Sequence, residues 1–134
     1  MQNLKNTLLT IAAWILGALA NGFIINIGGF IIPLPAGADV STPEGLAASM
    51  PLMQSQHFIT PLIAHAGGTF IGAWLVCRFI SENQLMRAMI IGFLFFAAGL
   101  YMTYILPAPM WFEILDMTLA YFPMAYLGYK TANR

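Results

Sequence analysis

The sequence predicts an all-α membrane protein, an up-down-up-down bundle of four transmembrane helices with a short extra helix in the first outer loop. Three observations predict it. The 134-residue chain is 60% hydrophobic and only 7% charged, where a water-soluble globule carries about a quarter charged residues. Four apolar runs, each near the roughly 20 residues that cross a bilayer, are joined by links too short for anything but side-by-side packing. All five basic residues fall on one side of that topology.

The first span is read over about residues 8–34. Lys5, the apolar Leu8–Leu19 and Ala18-Leu19-Ala20 imitate a secretory leader, but the apolar run continues past the would-be cleavage point, which favours a span. Residues 35–56 form the one long connection. Within it Ser41-Thr42-Pro43-Glu44 has capping-box spacing with a proline suited to a first helical turn, which predicts a short helix from Pro43 to about Met50. Ser49 then caps a second span starting at Pro51 and running to about Ser81, kinked where Pro61 removes the hydrogen bond to the His57 carbonyl. The third span covers about residues 85–106 and stops at Pro107-Ala108-Pro109. The fourth covers about residues 110–129, bent by Pro123.

Lys5, Arg78, Arg87, Lys130 and Arg134 all lie at the end shared by the two termini and the second link, so that end is expected to be cytoplasmic. The 35–56 connection and the Pro107–Pro109 turn contain no basic residue and are expected outside. With five basic and five acidic residues there is no basic field for nucleic acid. Cys77 is the only cysteine, so an internal disulfide and a cysteine zinc site are excluded.

Polar residues within the spans narrow where chemistry can sit, because an ionisable group at membrane depth is costly unless it faces protein or water. At about 1.5 Å rise per residue, Asn26, His65 and Asp116 lie at a similar depth, roughly 10 Å below the outer ends of their helices. Glu113 precedes Asp116 by one turn, Thr69 follows His65 by one turn, and Tyr101 of the third span arrives at a comparable level. Together His65, Asp116, Glu113, Asn26, Thr69 and Tyr101 describe a polar pocket in the outer half of the bundle, suited to a proton, a cation or a small polar ligand and to proton-coupled transport.

Gly68-xxx-Gly72 is a close-approach motif, and Gly17, Asn21, Ala13 and Gly28 form a matching stripe on the first span. These predict packing within the chain or self-association. The competing functional class is thus a structural or accessory subunit that pairs with itself or joins a larger membrane complex. Met50, Met53 and His57, with Met102 and Met110 in reach, offer soft thioethers and an imidazole that would suit Cu(I), although methionines of membrane proteins mostly fill packing gaps. His57 and His65 are eight residues apart on one helix and cannot clamp a haem iron from opposite sides. No nucleophile motif or phosphate-cradling loop occurs, which argues against an enzyme and implies no cofactor. The segments AHAGGTFIGAWL and WFEILDMTLAYFPMAYLGYK resemble small four-span bacterial inner-membrane proteins; the resemblance implies that fold and location, with lipid as the surrounding partner, and no activity.

Overall fold

A computed structural model describes residues 1–132. It is all-helical, with no strand among the described residues. Helix α1 spans Gln2–Ile31, a proline-free apolar stretch, and ends where Ile32 turns extended ahead of Pro33, as a residue before proline prefers. The chain then turns at Gly37, whose φ of +83° lies in the left-handed region that glycine enters without a steric cost. Helix α2 spans Pro43–Ser49. Its cap is Thr42, whose hydroxyl accepts the Gly45 amide at 3.0 Å; Ser41 instead gives its hydroxyl and its amide to the Asp39 carboxylate, which holds that carboxyl below the usual range.

Ser49 does not cap a helix starting at Pro51. Its hydroxyl accepts the Asp39 amide at 2.8 Å and lies 3.1 Å from the Asp39 carbonyl, to which it donates, closing the loop on itself. Residues 50–52 and 55–58 form two 3-10 turns, and helix α3 spans Ile59–Phe79. The expected kink is corrected accordingly: Pro61 is the third residue of α3, and first-turn amides have no intrahelical partner to lose.

Helix α4 spans Gln84–Ile105. The tight turn before it depends on Asn83 at φ 51°, a left-handed conformation that asparagine tolerates better than other side-chain-bearing residues. The stretch expected to form one fourth span is two helices, α5 over Met110–Leu119 and α6 over Phe122–Ala132. Pro123 has no N–H to offer the Leu119 carbonyl, so the α-ladder is interrupted and the chain breaks at Ala120-Tyr121. Three helical stretches, 2–31, 55–79 and 84–105, are each long and apolar enough to cross a membrane.

Helix α3 is the hub, touching α1, α4, α5 and α6. Small residues allow this. A Cβ on Gly17 would lie 2.6 Å from the Gly68 carbonyl oxygen and 3.1 Å from the Gly72 Cα, so the two backbones meet with nothing between them. On the other flank, a Cβ on Gly128 of α6 would lie 2.7 Å from the Phe70 carbonyl oxygen. The core between is compact and apolar, with Ala73, Val76, Ile91, Phe95, Ala120 and Ala125 buried. At the far end of α3, Asn6 of α1 donates to Glu82 at 3.1 Å, and Arg87 of α4 reaches the Thr10 hydroxyl at 3.1 Å. These bonds tie the start of the chain to the α3–α4 link. Lys5, Arg78 and Arg87 are gathered at that end; Arg134 lies outside the described residues.

Gly17 and Gly22 provide a matched test of the α1–α3 seam. Gly17→Ala should lower stability by about 1–3 kcal/mol, because the added methyl meets backbone rather than a movable side chain. Gly22→Ala, where nothing lies within 4 Å, should be neutral or stabilising by about 0.5–1 kcal/mol. Thermal unfolding of both variants in detergent measures the difference; equal effects would mean that α1 does not meet α3 in this way.

Candidate functional site

Asp116 lies in the last turn of α5 and is 3% exposed. Side chains from two other places in the fold converge on it. Its Oδ1 is 2.8 Å from Nδ1 of His65 on α3, and its Oδ2 accepts the Tyr121 hydroxyl at 2.6 Å. The phenol oxygen is also 3.3 Å from His65 Nδ1, and the imidazole and phenol rings stack with centroids 6.1 Å apart. Behind this triad, Thr69 is fully buried and donates to the His65 carbonyl at 2.8 Å.

Local structure explains the convergence. Tyr121 sits in the break between α5 and α6, five residues beyond Asp116; on an unbroken helix that spacing would rotate it well away from Asp116. Room for its hydroxyl comes from α4, where Gly99 has no side chain: a Cβ there would press on the phenol, with its ring carbon Cζ at 2.7 Å. Phe96 meets the same ring edge to face at 6.0 Å. At the start of α3 and α5, Phe58, Trp111 and Phe112 pack together with centroids 5.1–6.1 Å apart, and Phe112 lies 6.5 Å from the His65 ring.

Nδ1 is thus the ring nitrogen of His65 that is engaged with the carboxylate, and Nε2 is the one left over. Nε2 has no partner among the described residues, and the His65 side chain is 24% exposed. Tyr121 and His65 both bond to the carboxylate, and the imidazole keeps part of its surface exposed. This is the geometry in which a carboxylate orients a histidine for proton exchange or hydrogen bonding.

Of the expected pocket residues, the structure brings together His65, Asp116 and Thr69. Asn26 is corrected: it is exposed, and its amide donates to the Gly22 carbonyl of its own helix at 2.8 Å. Tyr101 is corrected too, being 64% exposed, since the α4 face turned to the site carries Gly99. Glu113 is half-buried and makes no side-chain hydrogen bond or ion pair among the described residues. Gly17, Gly68 and Gly72 lie in the α1–α3 seam, and a Cβ on Gly68 would lie 2.8 Å from the Asn21 Cβ. The Asn21 Oδ1 is buried there without a hydrogen-bond partner.

Met50, Met53 and His57, the soft-metal candidates, lie in and beside the two 3-10 turns ahead of α3. Nδ1 of His57 accepts the Gln54 amide at 2.9 Å and caps the 3-10 turn, and no group of three or more His, Cys, Asp or Glu side chains fit to hold a metal occurs among the described residues. Sequence reasoning missed Tyr121 and Gly99. The signal available for Tyr121 was Pro123, which breaks the helix just after it and returns an i+5 side chain to Asp116.

Gly99→Ala should cost about 1–3 kcal/mol by overpacking against the phenol. Tyr121→Phe should cost about 1–2 kcal/mol by leaving Asp116 short of a donor. In the double variant the Gly99→Ala cost should shrink, since the hydroxyl it collides with is gone. A double-mutant cycle of melting temperatures measures this, and strict additivity would show that Gly99 does not make room for the hydroxyl.

No protein-family model, curated protein or solved structure matches this chain, and a functional reading therefore rests on the site itself.

Proposed function

We propose that the chain is a four-span protein of a bacterial inner membrane with both termini cytoplasmic, and that its outer-half site takes up and releases a proton, a cation or a small polar ligand in proton-coupled transport. The observation that carries this reading is the 2.8 Å bond between His65 and the buried Asp116, completed by Tyr121 at 2.6 Å. A carboxylate with 3% exposure in so apolar a chain costs several kcal/mol of desolvation where a leucine would cost none.

Topology supports the setting. Gly99 of α4 lies against Tyr121, and Gly92 against Ala125, so α4 runs opposite to α5 and α6. Asp116 meets His65 while Gly128 meets Phe70 and Ala73, so α5–α6 runs with α3. The break at Ala120-Tyr121 beside the site also fits: transport proteins place binding groups where a spanning helix is interrupted. Reporter fusions after Gln84 and after Ala132 should read cytoplasmic, and one within residues 36–49 external; an internal signal from that loop would reverse the site's exposure.

The alternative is a structural or accessory subunit. It draws on one observation: both Asp116 oxygens find donors within the chain, so the triad could serve as helix glue worth about 1 kcal/mol per contact or less. The discriminating variant replaces the whole triad with apolar groups, His65→Leu, Asp116→Leu and Tyr121→Phe, which leaves no orphaned partner and can be nearly neutral for stability. Under the transport reading this variant melts close to wild type but loses retained ligand in native mass spectrometry and proton flux into dye-loaded vesicles. If wild type and variant are indistinguishable in both, the triad is glue and the transport reading fails.

A further inference from the structure

Resting on that functional reading, we infer that the ligand of the His65–Asp116–Tyr121 site is a single proton, taken up and returned at Nε2 of His65. Three features of the site lead there. The first is saturation: Asp116 is 3% exposed and both of its oxygens already accept hydrogen bonds from Tyr121 and His65. A metal ion or an ammonium group would have to reach oxygens that are almost wholly buried and already engaged.

The second is access. His65 keeps 24% of its side chain exposed, and Nε2 is the ring nitrogen without a partner among the described residues. The atom of the site left to exchange is therefore a ring nitrogen, which binds a proton or a transition metal rather than an alkali cation, and no second and third His, Cys, Asp or Glu side chain stands by to complete a metal's shell among the described residues.

The third is charge. The cations of the spanning elements are Lys5 on α1, Arg78 on α3, Arg87 on α4 and Lys130 on α6, all toward the opposite end. Among described residues, the ion pair of Asp116 is with His65 alone, and it counts as one only when the imidazole is protonated. Other titratable groups near His65 do not change this. Tyr121 is a donor to the carboxylate. Glu113, one turn from Asp116, is the other carboxyl side chain of α5 and makes no hydrogen bond or ion pair among the described residues. His57, two turns away on its own chain segment, holds its Nδ1 on the Gln54 amide. Helix α1 presents the neutral Asn21 at this seam, and α4 presents Gly99 and Phe96.

The step balances simply. A hydronium ion gives its proton to the Nε2 lone pair, an N–H bond forms as an O–H bond breaks, and water leaves; release is the reverse. The occupied site is an imidazolium–carboxylate pair with no net charge. The vacant site carries one buried negative charge, so proton loss is the event that raises the energy of this half of the bundle.

The test uses the full chain in lipid nanodiscs with His57→Gln, which leaves His65 as the lone imidazole, and with 15N-labelled histidine. A titration between about pH 4 and 9 should move the Nε2 resonance from lone-pair to N–H values, with one proton taken up per chain. Asp116→Asn should lower the proton affinity by about tenfold or more, because the carboxylate that stabilises the imidazolium is gone. Sodium, potassium, magnesium, zinc and methylammonium chlorides, added at fixed pH and ionic strength, should leave both ring nitrogens unchanged. If one of these cations shifts Nε2 at fixed pH, the proton assignment is overturned and the site is a cation site, with the transport reading intact. If Nε2 responds to neither pH nor cation, the proton assignment and the transport reading fall together.

Discussion

One buried carboxylate governs the arrangement of the end of the bundle where α3, α4 and the α5–α6 break meet. Asp116 has almost no contact with its surroundings outside the chain, and no lysine or arginine stands near it. Its charge has to be met by oriented donors, and the chain supplies two, from different elements. Supplying them imposes further conditions: α3 must present His65 at the level of the last turn of α5, the helix must break so that Tyr121 can turn back, and α4 must leave a gap at Gly99. A buried acceptor with two short bonds is tolerable; with one donor missing it carries a desolvation penalty of about 1–3 kcal/mol or more.

The small residues act through α3. Gly17 lets α1 approach one side of it and Gly128 lets α6 approach the other, and contact at that range holds the register of the helices to within a fraction of a side chain. Register matters because the bonds to Asp116 are 2.6 and 2.8 Å long, with little slack for sliding. The polar contacts among Asn6, Thr10, Glu82 and Arg87 anchor the opposite end of the bundle. The architecture is thus clamped at both ends by polar bonds and spaced through its middle by glycine.

Breaking a helix beside a charged site has a chemical as well as a geometric effect. Pro123 removes one amide from the backbone ladder, and the interruption sits within a turn of Asp116. The same feature lets a phenol hydroxyl enter the site and marks the segment where α6 can reorient with least loss of helical bonding. The bond to Asp116 and the break before α6 thus share one residue, Tyr121.

By itself the sequence determined the helical class, the apolar stretches and the short helix after Thr42. These depend on composition and on signals a few residues long: apolar runs, prolines at helix starts, and a side-chain cap. It also pointed to His65 and Asp116, because charge-capable residues in apolar runs stand out without any knowledge of packing. Tertiary structure alone decided which neighbours they have. Depth along a helix was legible from rise per residue, but azimuth was not, so Asn26 and Tyr101 sit at a suitable level on the wrong faces. Pro61 was misjudged because the start of an α-helix depends on whether the preceding turn winds tightly, and residues 55–58 do. Tyr121 and Gly99 were invisible for the same physical reason: one depends on a local break and the other on the absence of a side chain, and both acquire meaning only when three helices meet.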